Sequence, residues 1–125
     1  MANHGTLSIA STQEIILKDV KWCSSFVCKL RGLMFRRSLA AEEGLLLVEV
    51  GESRALTSIH MLFMNFPIGV IWLNGSFEVV DTVLARPWRL SYVPARPAQY
   101  TLETSPNILN KVQVGDHLIY EAVSN

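Results

Sequence analysis

"SIHMLFMNFPIGVIWLNG", residues 58–75, is the stretch on which the fold turns. It is almost wholly apolar, with His60 and Asn65 set inside it. Pro67 divides it, since proline has no N–H to give to a strand ladder. Before the proline, "ALTSIHMLFMN" (55–65) reads as one strand; after it, "IGVIWL" (68–73) reads as a second. Asn74-Gly75 follows directly, and "SFEVVDTVLA" (76–85) has the content of a returning strand. An Asn-Gly pair between apolar runs signals a tight hairpin, because both central positions of a type I′ turn need positive φ. Taking Asn74 and Gly75 as that turn sets a register. Leu73 faces Ser76, Trp72 faces Phe77, Ile71 faces Glu78 and Val70 faces Val79. The Trp72–Phe77 and Val70–Val79 pairs then share the core face.

Upstream, "TLSIAST" (6–12) and "EIILKDV" (14–20) each suit a short strand. Trp22, Phe26, Leu30 and Leu33 then recur at spacings of four, four and three, one face of a helix. The spacing predicts a short helix over 24–31, with Ser24 or Ser25 as its cap. Lys29 and Arg31 suit its negative end, and Gly32 stops it. "SLAAEEG" (38–44) is a helical turn or surface loop, and "LLLVEV" (45–50) is a strand. Downstream, "RPWRLSYVPARPA" (86–98) holds three prolines and no period, so it is a long ordered loop. "QYTLET" (99–104) alternates like a strand, and "KVQVGDHLIYE" (111–121) reads as strand, Gly115-Asp116 turn, strand. The chain is thus mainly β, a small barrel or sandwich of about seven short strands with one short N-terminal helix. No repeat, linker or low-complexity tract interrupts it, and residues 1–125 form a single domain by this reading.

Half of the 125 residues are hydrophobic and 18% are charged, which excludes a disordered chain. Eleven basic residues balance eleven acidic ones. A zero sum argues against a nucleic-acid partner, which needs a basic excess to neutralise phosphates. No apolar run reaches the roughly 18 residues of a membrane span. The opening "MANHGTLSIA" has no basic segment before an apolar run, so no secretory signal is expected there, and its first five residues are expected to be disordered. Two cysteines, Cys23 and Cys28, are too few for a disulfide-stapled secreted domain. The expectation is a cytoplasmic protein, monomer or dimer, with both thiols reduced and facing different sides of one helix.

Five segments then occur in order: "SFVCKLRGLMFRR", "GLLL", "SIHMLFMNFPIGVIWLNG", "YTLE" and "VGD". In these the chain resembles domain-of-unknown-function family 192, small bacterial and archaeal proteins, over about residues 14–121. The resemblance implies a small β-barrel or sandwich with a helix near its start, and no assigned activity. It places the family pattern on Arg31, Gly32, Leu33, Met34, Arg36 or Arg37, Gly44, His60, Met64, Phe66, Pro67, Ile68, Tyr100, Leu102, Glu103, Gly115 and Asp116. Two positions depart from it. Asn65 stands where the family commonly has a basic residue, and Gly69 where it commonly has an acid.

His60 is the one plausible chemical group of the opening stretch. As a core histidine it would bond a backbone carbonyl and a hydroxyl such as Ser58; at a barrel mouth it would contact a ligand or act as a base. Asn65 fixes the bend or reaches the same ligand. Arginines cluster as Arg31, Arg36 and Arg37, and as Arg86, Arg89 and Arg96. Where the clusters converge they suit a carboxylate or phosphate, with Trp88 and Tyr92 as a stacking wall. No compact set of histidines and cysteines has metal-ligand spacing, and neither a nucleophile elbow nor a Gly-rich phosphate loop occurs. No metal or cofactor is therefore expected. The leading reading is a non-enzymatic binding or adaptor module for a small anionic ligand or a protein partner, through His60, Arg31, Arg36, Asn65, Arg86, Trp88 and Arg89. The alternative is a small hydrolase or lyase with His60 as general base, oriented by Asp81 or Glu103. A third reading is a dimerising structural module.

Overall fold

In the computed structural model, which describes residues 3–123, seven strands form one sheet. In chain order they are β1 (Asn3–Ile9), β2 (Ile15–Cys23), β3 (Glu43–Ser53), β4 (Ile68–Leu73), β5 (Val79–Ala85), β6 (Ala98–Thr104) and β7 (Leu118–Ala122). A short helix, α1 (Phe26–Arg31), lies between β2 and β3, and a 3-10 helix (Pro106–Asn110) follows β6. The spatial order is β5-β4-β6-β3-β2-β1-β7. Every pairing is antiparallel except β2 with β3, whose connection runs through α1. The sheet curls until its two edges meet at one end. Glu78 bridges His117 there, and the Leu118 N–H donates to the Phe77 carbonyl at 2.9 Å. The mainly β expectation holds, as a curled half-barrel rather than a closed barrel or a two-sheet sandwich.

Alternation along the strands splits the apolar residues between the two faces of this sheet. Leu7, Leu17, Leu46, Ile71, Leu102 and Leu118 meet inside the curl. Leu45, Ile68, Val70, Trp72, Val80 and Ala85 point outward into a second core. β4 serves both, and all six of its residues are buried. That is why "IGVIWL" is a continuous apolar run rather than an alternating one. The outer core has no second sheet above it. Its cover comes from irregular segments that supply Leu33, Ile59, Met61 and Met64.

One of those segments is "ALTSIHMLFMN", which is not a strand; only Ile59 makes a bridge, to Tyr92. Its backbone is paired instead to the 86–98 loop. Ile59 and Tyr92 exchange N–H···O bonds of 2.9 and 2.8 Å, and the Trp88 N–H donates to the Met61 carbonyl at 2.7 Å. Lying over the sheet rather than within it, the segment can turn three large side chains downward without strand alternation. The Thr57 carbonyl closes its start by accepting the buried Trp72 Nε1 at 2.7 Å.

The hairpin forms at Asn74-Gly75, but in another register. Trp72 faces Asp81, Ile71 faces Thr82 and Val70 faces Val83. The Asn74 side chain decides this. Its Oδ1 accepts the Ser76 and Glu78 N–H groups, both at 3.0 Å, which draws a third residue into the loop. Phe77 (φ 63), not Gly75, takes the left-handed position. Phe77 therefore packs on Tyr100 with the inner core, centroids 4.3 Å apart, while Trp72 belongs to the outer one. The expected Trp72–Phe77 and Val70–Val79 pairs do not exist.

β1 starts at Asn3, pairing it with Trp22, so residues 3–5 are ordered; residues 1 and 2 lie outside the described residues. α1 begins at Phe26, capped by Ser25 Oγ on the Cys28 N–H at 3.1 Å, and ends at Gly32 (φ 49). Trp22 lies on β2 and Leu33 beyond the helix end, so the 4-4-3 spacing spans three kinds of backbone. None of the helix's own residues is buried. The thiols are not reduced: Cys23 on β2 and Cys28 on α1 form a disulfide, with Cα atoms 5.7 Å apart. The reading from helical spacing failed because Cys23 is not on the helix. "KVQV" is likewise no strand; the 3-10 helix precedes it, and Ile108 and Val112 plug the inner core.

Candidate functional site

On the outer face of β6, Glu103 is set between Leu45 of β3 and Val70 of β4. It is only 7% exposed, and its carboxyl makes no hydrogen bond or ion pair among the described residues. Removal from water without a compensating charge raises its pKa to about 7. The carboxyl floors a cleft of about 110 Å³. One wall is Arg31 to Met34, where α1 stops; the opposite wall is Ser58 to Met61. A Cβ on Gly32 would lie 3.7 Å from Glu103 Oε1, so the main chain at the helix end passes close to the acid. The blocks "RGLM", "SIHM" and "YTLE", far apart in sequence, converge here.

His60 is exposed at the rim of this cleft rather than in the core. Its Nδ1 accepts the Leu62 N–H at 3.2 Å, which leaves the proton on Nε2. Arg31 lines the same cleft, with no ion pair among the described residues. Lys29 is engaged: its Nζ donates to Glu49 Oε1 at 3.1 Å and to the Val48 carbonyl at 3.2 Å.

Arg36 faces away from Glu103. It donates two hydrogen bonds to Glu43, at 2.6 and 3.0 Å, which hold the Glu43 carboxyl below its usual range. That pair belongs to a larger cleft of about 490 Å³ on the far side of Arg31–Leu33. Its two acids are both engaged there, Glu43 by Arg36 and Asp19 by His4 Nδ1 at 2.7 Å, while Lys21 and Arg31 on its wall have no ion pair among the described residues. The smaller cleft is the better candidate because its acid has no protein partner. Asn65 lines neither cleft; its Nδ2 donates to the Arg36 carbonyl at 3.0 Å and ties the bend to the turn after α1. Arg86, Trp88 and Arg89 are exposed and line neither cleft, although the loop backbone bonds to the residues flanking His60. Asp81 does not meet His60. Its carboxylate accepts the Thr82 and Ala95 N–H groups at 2.9 and 2.8 Å and anchors the long loop. Among the described residues no group of three His, Cys, Asp or Glu is placed to hold a metal ion.

Sequence reasoning named Glu103 only as a possible partner for His60. Within "QYTLET" it alternates like a solvent-facing residue, and nothing local reveals the cover that buries it. The one signal was its place in a family block.

Fold and cleft together define a small curled β-sheet domain with a buried acid under an irregular lid. The chain belongs to the family DUF192, described as Uncharacterized ACR, whose model matches residues 7–120. It is 40% identical over 114 residues to the UPF0127 protein PF1050 of Pyrococcus furiosus, covering 90% of this chain and 94% of that one. It is also 40% identical over 95 residues to the UPF0127 protein TK1120 of Thermococcus kodakarensis, covering 76% of this chain and 59% of that one. Among solved structures, a Sinorhizobium meliloti 1021 protein, provisionally described as a transcription regulator, superposes with a TM-score of 0.81 at 20% identity, covering 96% of this chain and 94% of that one. A Novosphingobium aromaticivorans protein of unknown function follows at 0.76 and 19%, covering 93% and 83%. Identities this low show the fold alone.

Proposed function

We propose that this domain is a binding module that holds a small polar ligand in the Glu103 cleft. The observation that carries this reading is the Glu103 carboxyl, buried and without a protein partner among the described residues. What exposure Glu103 keeps opens onto the cleft, where a ligand group is a natural partner for a polar group that no protein atom pairs. With a pKa of about 7, the carboxyl both donates and accepts hydrogen bonds near neutral pH. Arg31 adds a cation at the rim, and His60 Nε2 adds a donor. A small anion that also carries a hydroxyl or amine, such as a hydroxy acid or an amino acid, matches this set. Its carboxylate meets Arg31 and its donor reaches Glu103. A cleft of about 110 Å³ limits the ligand to a few heavy atoms. His60 bonds a backbone N–H rather than a carboxylate, which favours binding over general-base catalysis.

The test is an NMR titration of the full chain with a panel of small hydroxy acids, amino acids and dicarboxylates. At least one compound is expected to shift the amides of 31–34, 58–61 and 101–103. Glu103→Gln and Arg31→Ala should each weaken it by about tenfold, the loss of one charge-assisted hydrogen bond. Silence of these amides toward the whole panel overturns the reading, and so does unchanged affinity in both variants.

A further inference from the structure

On the molecule's surface, outside both clefts, three aromatic rings form a row. Phe35 lies 5.1 Å from Phe63 between centroids, and Phe63 lies 5.3 Å from Trp88. They are 67%, 46% and 57% exposed. All three hold left-handed backbone, with φ of 66, 62 and 68°. Bulky side chains rarely adopt that region, and such strain persists only where surrounding structure enforces it. Here the enforcement is visible. The Phe35 N–H donates to the Phe63 carbonyl at 3.1 Å, and Trp88 N–H to the Met61 carbonyl at 2.7 Å. Three separate turns are thus stitched together to present three rings to solvent, which burial in the fold does not explain.

Charge supplies the second observation. Residues 24–41, 53–77 and 82–102 contain eight of the chain's 11 Lys and Arg residues and no Asp or Glu. These same segments carry the aromatic row. Of their cations only Lys29 and Arg36 have an acid partner among the described residues. Arg37 follows Phe35 by two positions, and Arg86 and Arg89 flank Trp88. A net charge of zero therefore hides basic segments around the aromatic row, and of the acids that touch them Glu43 is engaged by Arg36, Glu49 by Lys29, and Asp81 by the Thr82 and Ala95 N–H groups.

We propose that this face docks on an anionic phospholipid bilayer, the three rings entering the interface and the arginines meeting headgroup phosphates. The amphipathic Trp ring settles at the bilayer interface, the two Phe rings add apolar area that enters it, and unpaired cations add attraction to anionic lipid. Single-stranded nucleic acid is the weaker match. The rings pack on one another, tilted by 31° and 63°, and close the gaps that bases would need for stacking. An acidic helix is also a poor match, since Phe35, Phe63 and Trp88 line neither cleft and offer no groove. The proposal does not depend on the Glu103 cleft.

Co-sedimentation of the full chain tests it, with vesicles of phosphatidylglycerol mixed into phosphatidylcholine against vesicles of phosphatidylcholine alone. Binding is expected to the anionic vesicles only, and to weaken with salt. Trp72 is buried and Trp22 packs against the inner core, so a blue shift on binding should vanish in Trp88→Phe while binding persists. Trp88→Ala should lose about tenfold in affinity. The double variant R86E/R89E should lose binding to anionic vesicles with its melting temperature unchanged. Phe63→Asn, which tolerates the left-handed backbone, should also weaken binding. No binding to anionic vesicles at low salt overturns the proposal, as does undiminished binding by both Trp88→Ala and R86E/R89E. Capture of a single-stranded oligonucleotide or polyglutamate while vesicles are ignored overturns it in favour of that class of partner.

Discussion

The two faces of the sheet are built by different means. The inner core is made chiefly by regular strands, with Leu7, Leu17, Leu46, Ile71 and Leu102 projecting inward by simple alternation. The outer core puts Leu45, Val70 and Trp72 under a cover of turns and loops, pinned by isolated backbone bonds such as Ile59 to Tyr92. The inner cluster is built of apolar and aromatic residues, its buried polar atom without a partner among the described residues being the Tyr120 hydroxyl. The outer layer holds Glu103, the Trp72–Thr57 hydrogen bond and the disulfide cysteine Cys23. The contrast teaches where this fold carries chemistry. A lid without ladder constraints can leave a cleft above a buried acid, which a fully alternating sheet face does not.

The largest effect expected from this contrast lies inside the curl. Leu102→Ala should cost about 4 kcal/mol in urea unfolding, because the strands around it cannot close over the space. Met61→Ala, in the lid, should cost about half as much, since loops and methionine relax more readily. Equal losses at the two positions would break the comparison.

Next in size is Glu103. Its pKa is raised in the fold, so the folded state holds a proton that the unfolded chain gives up. Its contribution is therefore full below about pH 4.5 and is lost as pH rises to about 7. The penalty above that window is about 3 kcal/mol at most. Glu103→Gln should flatten the fall in stability between these values and raise the melting temperature at pH 8. A wild-type profile that is already flat there would place water or a counter-charge on the acid and shrink the difference between the faces.

The smallest effect probes how closely the 3-10 helix is laid on the sheet. A Cβ on Gly69 would come within 3.0 Å of Leu109 Cγ and 3.1 Å of the Ser105 carbonyl oxygen. Gly69→Ala should cost about 2 kcal/mol through overpacking and loosen amide exchange at 106–110. The departure from the acid that the family resemblance implies at this position thus has a packing reason here: the 3-10 helix presses directly on β4. An unaltered exchange pattern would show the contact to be slack.

The inner half of the protein was legible in sequence, and the outer half only partly. β4 was read at its observed bounds, and β2, β3 and β6 to within a few residues, because apolar runs ended by Gly, Pro or Asn report local geometry. The 55–65 segment was misread as a strand, since buried residues at 59, 61 and 64 in a loop look much like strand alternation. The hairpin was found and its register missed, because the Asn74 side chain lengthened the turn. Of the expected site residues, His60 and Arg31 come together at one cleft. Arg36, Asn65, Arg86, Trp88 and Arg89 line other surfaces, and the total charge gave no hint that basic segments gather around the aromatic row.

By itself the sequence determined the β class, the position of the short helix with a serine cap at 24 or 25 and Gly32 at its end, and the hairpin at Asn74. These rest on interactions between residues near in the chain, so periodicity and turn chemistry are enough to read them. Only the tertiary structure decided that Glu103 is buried, that Cys23 meets Cys28 across a strand and a helix, and that three aromatic residues share one surface. Burial and such contacts are set by what distant segments place on top of a residue, a quantity no local pattern encodes.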